Sequence, residues 1–314
     1  VHQAIIQGLE RNASYPDPHC RDLRRALSRY EQVPEGYILC GGGASDLIFR
    51  LAYALRPKRA LLLAPTFAEY HLALAEVGCL CSYHSLREEE GFLPRPSLIQ
   101  EAASCDLVLL CNPNNPTGAL IDPTLMNQVL EACIRTRAVL AVDECFLDFL
   151  PQEEEHTLKA KLEHYDRLII LRAFTKIFAM PGLRLGYALS SGAELLRRMD
   201  QAGPAWNVNV PAQLAGIAAA EEWDYLQQTR TLIATERAWL QTALAALGLT
   251  VYPGAANYLL FRCRKHDLAA KMARQGVLIR DCSNYRGLEP GYFRVAVRGR
   301  TENTALVRAM KECL

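Results

Sequence analysis

The sequence contains no C-x-x-C pair, no basic block, and no apolar run long enough to span a bilayer. The first absence leaves zinc-ribbon and thioredoxin-like chemistry without support, so no metal is expected. The second, with 35 Lys and Arg against 34 Asp and Glu and a net charge of +1, argues against a nucleic-acid partner. The third argues against a membrane-spanning chain. Internal repeats, low-complexity tracts and a secretory-leader pattern are also missing. Eleven cysteines are present, but Cys40, Cys111, Cys145 and Cys263 sit inside apolar, strand-like runs where a free thiol behaves as a small hydrophobe. A reducing, cytoplasmic location is therefore expected. The chain starts at Val1, mid-helix by its pattern, and is expected to be the retained part of a longer protein.

What is there is a 314-residue chain, half of it hydrophobic, enough for a large core in one large and one smaller domain. Apolar strand-like runs alternate with helical patterns through most of the length, which argues for a parallel sheet. Strands expected near 249–252, 258–263, 277–282 and 292–298 suggest a small α+β domain, reached through a long helix near 224–246. The expected division is a large domain over 14–215, a small one over 216–314, and an arm remnant over 1–13. Residues 151–156, with three consecutive glutamates, read as an acidic surface loop without chemistry.

Several residues stand where chemistry is done. Lys176 follows an apolar strand, at the carboxyl end where open α/β sheets bind ligands. Arg184, in Gly-Leu-Arg-Leu-Gly, is flanked by glycines that let backbone and guanidinium approach an anion. Asp143 ends a β-branched run; a buried Asp needs a cation or a bound group, unless it serves as a helix cap. Asn115 lies in an Asn- and Pro-rich turn after another apolar strand. Gly42, Gly43, Ala44 and Ser45 form a strand-glycine-helix junction suited to a phosphate, because the first N–H groups of a helix are unpaired. Arg280 and Arg294 are strand-borne arginines among apolar residues, marking an ion pair or an anion site. Phe67 follows a proline at a helix start, and Tyr15 lies in a Tyr-Pro-Asp turn.

Set in order, Asn115, Asp143, Lys176 and Arg184 resemble the signature of fold-type-I pyridoxal-phosphate enzymes, the class I and II aminotransferase superfamily, over essentially the whole chain. The resemblance implies an α/β fold with a mostly parallel seven-stranded sheet, pyridoxal 5′-phosphate as cofactor, and a homodimer with the site at the subunit interface. It makes Lys176 the Schiff-base residue, Asp143 the partner of the pyridinium nitrogen, and Asn115 the partner of the phenolate oxygen. Arg184, Thr175, Gly43, Ala44 and Ser45 would hold the cofactor phosphate, Phe67 would stack on the ring, and Tyr15 would reach the neighbouring subunit's phosphate. Arg294 and Arg280, beside Asn115, would bind the substrate's carboxylate and phosphate. Two positions depart from the broader pattern: Phe146 replaces a tyrosine that often donates to the phenolate, and Ala173 a residue whose hydroxyl often binds phosphate.

Further segments, FAEY at 67–70, SLREEEG at 85–91 and LIRDCSNYRGL at 278–288, look like the branch that decarboxylates L-threonine O-3-phosphate in cobalamin biosynthesis. Histidinol-phosphate aminotransferases are the alternative, since they share the two arginines. A non-catalytic, cofactor-binding sensor domain is a remote third reading; the intact Lys176, Asp143 and Arg294 favour an enzyme.

Overall fold

The computed structural model describes residues 1–314. Seven strands make the principal sheet: β1 (Ile38–Gly41), β2 (Arg59–Ala64), β3 (Leu80–Ser85), β4 (Leu107–Cys111), β5 (Val139–Asp143), β6 (Leu168–Ala173) and β7 (Gly186–Leu189). Their order is β1-β7-β6-β5-β4-β2-β3, and only β7 runs against its neighbours. The mostly parallel sheet expected from the alternation is the one that forms.

Every residue of β4, β5 and β6 is buried. That is what continuous apolar runs require when helices cover both faces. Alternate residues divide between the faces. Leu61, Val108, Leu140 and Ile170 pack with Leu27 and Val129 of helices Arg21–Glu31 and Pro123–Thr136. Leu62, Leu109, Ala141 and Ile169 pack with Leu47 and Leu51 of helix Ala44–Leu55. Each buried Leu or Ile contributes about 1.5–3 kcal/mol, so register is fixed on both sides at once. Cys111 is paired with Asp143 and Asp143 with Leu171, which sets the carboxyl ends of β4, β5 and β6 side by side.

The second sheet is antiparallel: β8 (Thr250–Val251), β9 (Tyr258–Arg262), β10 (Arg280–Asp281) and β11 (Tyr292–Ala296), in the order β10-β11-β9-β8. The strand expected over 277–282 shrinks to two residues. Val277 and Ile279 turn into the neighbouring core instead, and Leu278 is left 86% exposed. The 24-residue helix Trp223–Ala246 precedes this sheet.

The two sheets share their cores. Leu260, Cys282 and Tyr292 pack in the same cluster as one face of the principal sheet, while Phe146, Ala173 and Ile177 pack with the second. A polar strut adds to this contact: Glu88 accepts from the Tyr292 hydroxyl at 2.6 Å and from Arg262 at 2.8 Å, and also from the Tyr252 hydroxyl.

The acidic 151–156 segment lies at the surface as expected, with Glu153 as the exception. Glu153 turns inward and pairs with Arg172 at 3.3 Å and Arg230 at 3.2 Å, because both arginines are buried and need anions. All eleven cysteines are free thiols. No helix is long and apolar enough to cross a membrane.

Candidate active site

The side-by-side strand ends open into a cavity of about 200 Å³. Eight residues singled out in the sequence line it: Ala44, Ser45, Phe67, Asn115, Asp143, Thr175, Lys176 and Arg184, joined by Tyr70, Cys111, Cys145 and Phe146. Lys176 sits in the single turn Phe174–Ile177 that follows β6, with its ammonium 5.3 Å from the Phe146 ring centre.

Asp143 closes β5 and is 5% exposed. One carboxylate oxygen accepts from the Cys145 N–H at 3.0 Å and the other from the Tyr70 hydroxyl at 2.6 Å, and the group makes no salt bridge. A buried carboxylate held only by neutral donors, on a cavity wall, has capacity left for a cationic N–H. Burial, and then the Asp143 charge, push the Tyr70 hydroxyl and the Cys145 thiol well above their ordinary values, so both stay protonated beside it.

The turn after β4 is built by its other asparagines. Asn112 accepts from the Ile121 N–H at 2.9 Å. Asn114 donates to the Pro65 carbonyl and the Thr117 hydroxyl, both at 3.0 Å, and accepts from the Thr66 hydroxyl at 2.8 Å. Its own carbonyl accepts from the Tyr258 hydroxyl at 2.8 Å. With the turn so fixed, Asn115 is free to face the cavity, and its side-chain oxygen accepts from Arg294 and from the Tyr285 hydroxyl.

At the other end of the cavity, Gly43 has φ +96°, and a Cβ there would fall 2.8 Å from Nη2 of Arg184. Only glycine fits both constraints. No side chain caps helix Ala44–Leu55, whereas Asp122 caps helix Pro123–Thr136 by accepting from the Thr124 and Leu125 N–H groups. An uncapped helix start with an arginine beside it and no acid on that arginine suits a phosphate. Asp46 holds the glycine loop in place, accepting from the Gly42 N–H at 3.1 Å and from the Asn207 amide at 2.6 Å. Gly186 of β7 lets the loop sit directly on the sheet, since a Cβ there would lie 2.8 Å from the Ala44 nitrogen. The uncapped helix and the unpaired buried carboxylate lie in one cavity and fit the two ends of pyridoxal phosphate.

Arg280 and Arg294 face each other as partners across β10 and β11 and line a second cavity of about 260 Å³ that shares Phe146 and Lys176 with the first. Neither makes a salt bridge. Arg294 lies over the Tyr258 ring at 5.0 Å and Arg280 over the Tyr285 ring at 5.8 Å. Like charges placed opposite one another repel, so the pair favours an anion between them. Tyr15 is not brought into either cavity of this chain: it is 82% exposed and packs against Trp206 with ring centres 4.9 Å apart and planes tilted by 35°.

Sequence reasoning missed Asp46, Tyr70, Asn114, Asn207, Tyr258 and Tyr285. Tyr70 could have been found, because it lies one helical turn beyond Phe67 and so shares its face. Asn207 and Tyr285 carry no such local signal.

The family model for aminotransferase class I and II matches residues 2–310. The threonine-phosphate decarboxylase of Salmonella typhimurium is 39% identical over 100% of this chain and 87% of its own length. The crystal structure of histidinol-phosphate aminotransferase from Clostridium acetobutylicum superposes with a TM-score of 0.91 at 27% identity, covering 99% of this chain and 94% of that one. L-threonine-O-3-phosphate decarboxylase from Porphyromonas gingivalis gives 0.87 at 25% identity, with 99% and 94% covered. The architecture is common to decarboxylase and aminotransferase alike and does not separate them.

Proposed function

Since this chain belongs to the class I and II aminotransferase family, whose members are pyridoxal 5′-phosphate enzymes, we propose that it decarboxylates L-threonine O-3-phosphate to (R)-1-amino-2-propanol O-2-phosphate and carbon dioxide, a step of cobalamin biosynthesis. The observation that carries the choice within the family is the 39% identity to a threonine-phosphate decarboxylase along the entire chain. The two facing arginines without acidic partners fit a substrate that bears both a carboxylate and a phosphate, a feature shared with the aminotransferase alternative.

Bound pyridoxal phosphate supplies an electron sink. Asp143 would keep a proton on the ring nitrogen, and the low-dielectric wall around it strengthens that pairing. Asn115 would donate to the phenolate oxygen, a role left largely to it because Phe146 has no hydroxyl to offer. Arg184, Thr175 and the N–H groups at Gly43, Ala44 and Ser45 would hold the phosphate. Phe67 would pack on the ring face, where an offset aromatic contact contributes on the order of 1 kcal/mol beyond burial. Arg294, beside Asn115, would take the substrate carboxylate and Arg280 its phosphate. As the bond to the carboxyl group breaks and carbon dioxide leaves, Lys176 would deliver a proton to Cα.

We further propose a homodimer. Lys176 and Arg184 are exposed in the single chain, and the exposed Tyr15–Trp206 pair offers a surface for a second copy. Light scattering that showed an active monomer would remove this part.

The deciding experiment incubates cofactor-loaded protein with L-threonine O-3-phosphate and measures carbon dioxide together with the cofactor's absorbance. Carbon dioxide in at least stoichiometric amount, with the original absorbance restored, is expected. Conversion of the cofactor to its amine form by glutamate, without carbon dioxide, would make the protein an aminotransferase and bring histidinol phosphate forward as substrate. Lys176→Ala is expected to abolish the lysine-bound cofactor band, and its survival would sink the assignment of Lys176.

A further inference from the structure

We infer that Tyr285 is a positioning residue that keeps the Asn115 amide correctly turned while Arg294 changes partner. The inference rests on the cofactor and substrate reading above and deepens it.

Asn115 is 8% exposed, on the cavity wall. Its side-chain oxygen accepts two hydrogen bonds, from the Arg294 guanidinium and from the Tyr285 hydroxyl at 3.3 Å. A guanidinium only donates, so the atom it meets must be the oxygen, and the amide nitrogen points the other way. That nitrogen has no partner within the chain, yet it is not among the sealed polar atoms that lack one. It therefore opens on the cavity, where its hydrogens meet an anionic oxygen such as the phenolate.

Arg294 cannot hold Asn115 undisturbed through a reaction. It makes no salt bridge, and a carboxylate is a stronger acceptor for it than a neutral amide oxygen, because that hydrogen bond is assisted by both charges. As Arg294 turns to an incoming carboxylate, Tyr285 remains as the donor on the Asn115 oxygen. Without it the amide is free to rotate by half a turn and set its oxygen against the phenolate, replacing attraction with repulsion.

Tyr285 is built for the task. Its backbone is tied in a short turn, its N–H donating to the Cys282 carbonyl and its own carbonyl accepting from Leu288, each at 3.0 Å. Its ring is held between the principal core and the Arg280 guanidinium. Burial raises its hydroxyl's pKa above the ordinary value against the opposing pull of Arg294, so it stays a donor.

The test is a pH titration of the cofactor's absorbance in wild type and Tyr285→Phe, each with and without 3-phosphonopropionate. This probe carries a carboxylate and a phosphonate but no reactive amine. Loss of a donor to the phenolate favours the protonated chromophore, so the midpoint of the variant is expected above that of wild type. The gap should be small without the probe and about one pH unit with it, the size of one hydrogen bond to a charged oxygen. If the probe moves the variant's midpoint no further than the wild type's, Tyr285 only packs and the inference fails alone. If calorimetry shows that the probe binds neither protein, Arg294 does not trade Asn115 for an anion, and the substrate reading fails with it.

Discussion

Asp143 and Glu144 are neighbours in the chain, both buried, and the fold treats them in opposite ways. Glu144 is fully buried and belongs to a dense ionic network. Arg172 meets it at 2.8 Å and Asp148 at 2.6 Å, Glu153 bridges Arg172 to Arg230, and Lys159 reaches Glu31 at 2.9 Å. Asp143 has only the Tyr70 hydroxyl and a backbone N–H. The network is closed by the protein's own cations and has a structural role. Asp143, without one, leaves a charge for something else to answer. A buried ionisable group that the chain does not neutralise is the better marker of a site.

The largest test of that contrast is Asp143→Asn. It should lower kcat by about 10²–10³-fold, the range for losing one preorganised electrostatic contact, while the cofactor-free protein melts no earlier than wild type. An equal fall in melting temperature would mean that Asp143 holds the fold as Glu144 does.

Next is Arg172→Met, which strands several carboxylates. Breaking a buried pair from one side costs about 3–5 kcal/mol, read by denaturant unfolding. Unchanged stability would mean that water reaches the network.

The last test concerns pH. Four carboxylates (Glu31, Glu144, Asp148 and Glu153) face three cations (Arg172, Arg230 and Lys159). Burial lifts the Asp148 carboxyl from 3.8 to about 7, more than Arg172 pulls it down. Between those two values the folded state binds more protons than the unfolded one, so this group's contribution to stability falls as pH rises from about 4 to 7, then levels off. Asp148→Asn should flatten that part of the stability–pH curve, and an unchanged slope would assign the titration elsewhere.

How much of this was legible follows from where each residue lies. Asp143 and Lys176 were visible because each ends or follows an apolar run, and a strand end is a local pattern; Arg184 was visible from the glycines on either side of it. Arg172 offered a signal that went unused, since an arginine inside the fully buried run Leu168–Ala173 must find buried anions. Glu153 was misread for the complementary reason: three glutamates in a loop look solvated until their partners are known. The roles of Tyr285, which lies in the 278–288 segment, and of Asn207 were invisible, because what they do depends on segments distant in sequence.

The sequence by itself determined the alternation of strands and helices, the faces those strands bury, and the polar residues delivered to the carboxyl edge of the sheet. These follow from periodicity and backbone hydrogen bonding, which act between near neighbours in the chain. Only the tertiary structure decided that Glu144 receives Arg172 while Asp143 receives no cation, that the helix start at Ala44 stays uncapped beside Arg184, and that two arginines without acids face one another. Whether a buried charge is cancelled depends on which groups from distant segments end up within hydrogen-bonding distance, and no local pattern encodes that distance.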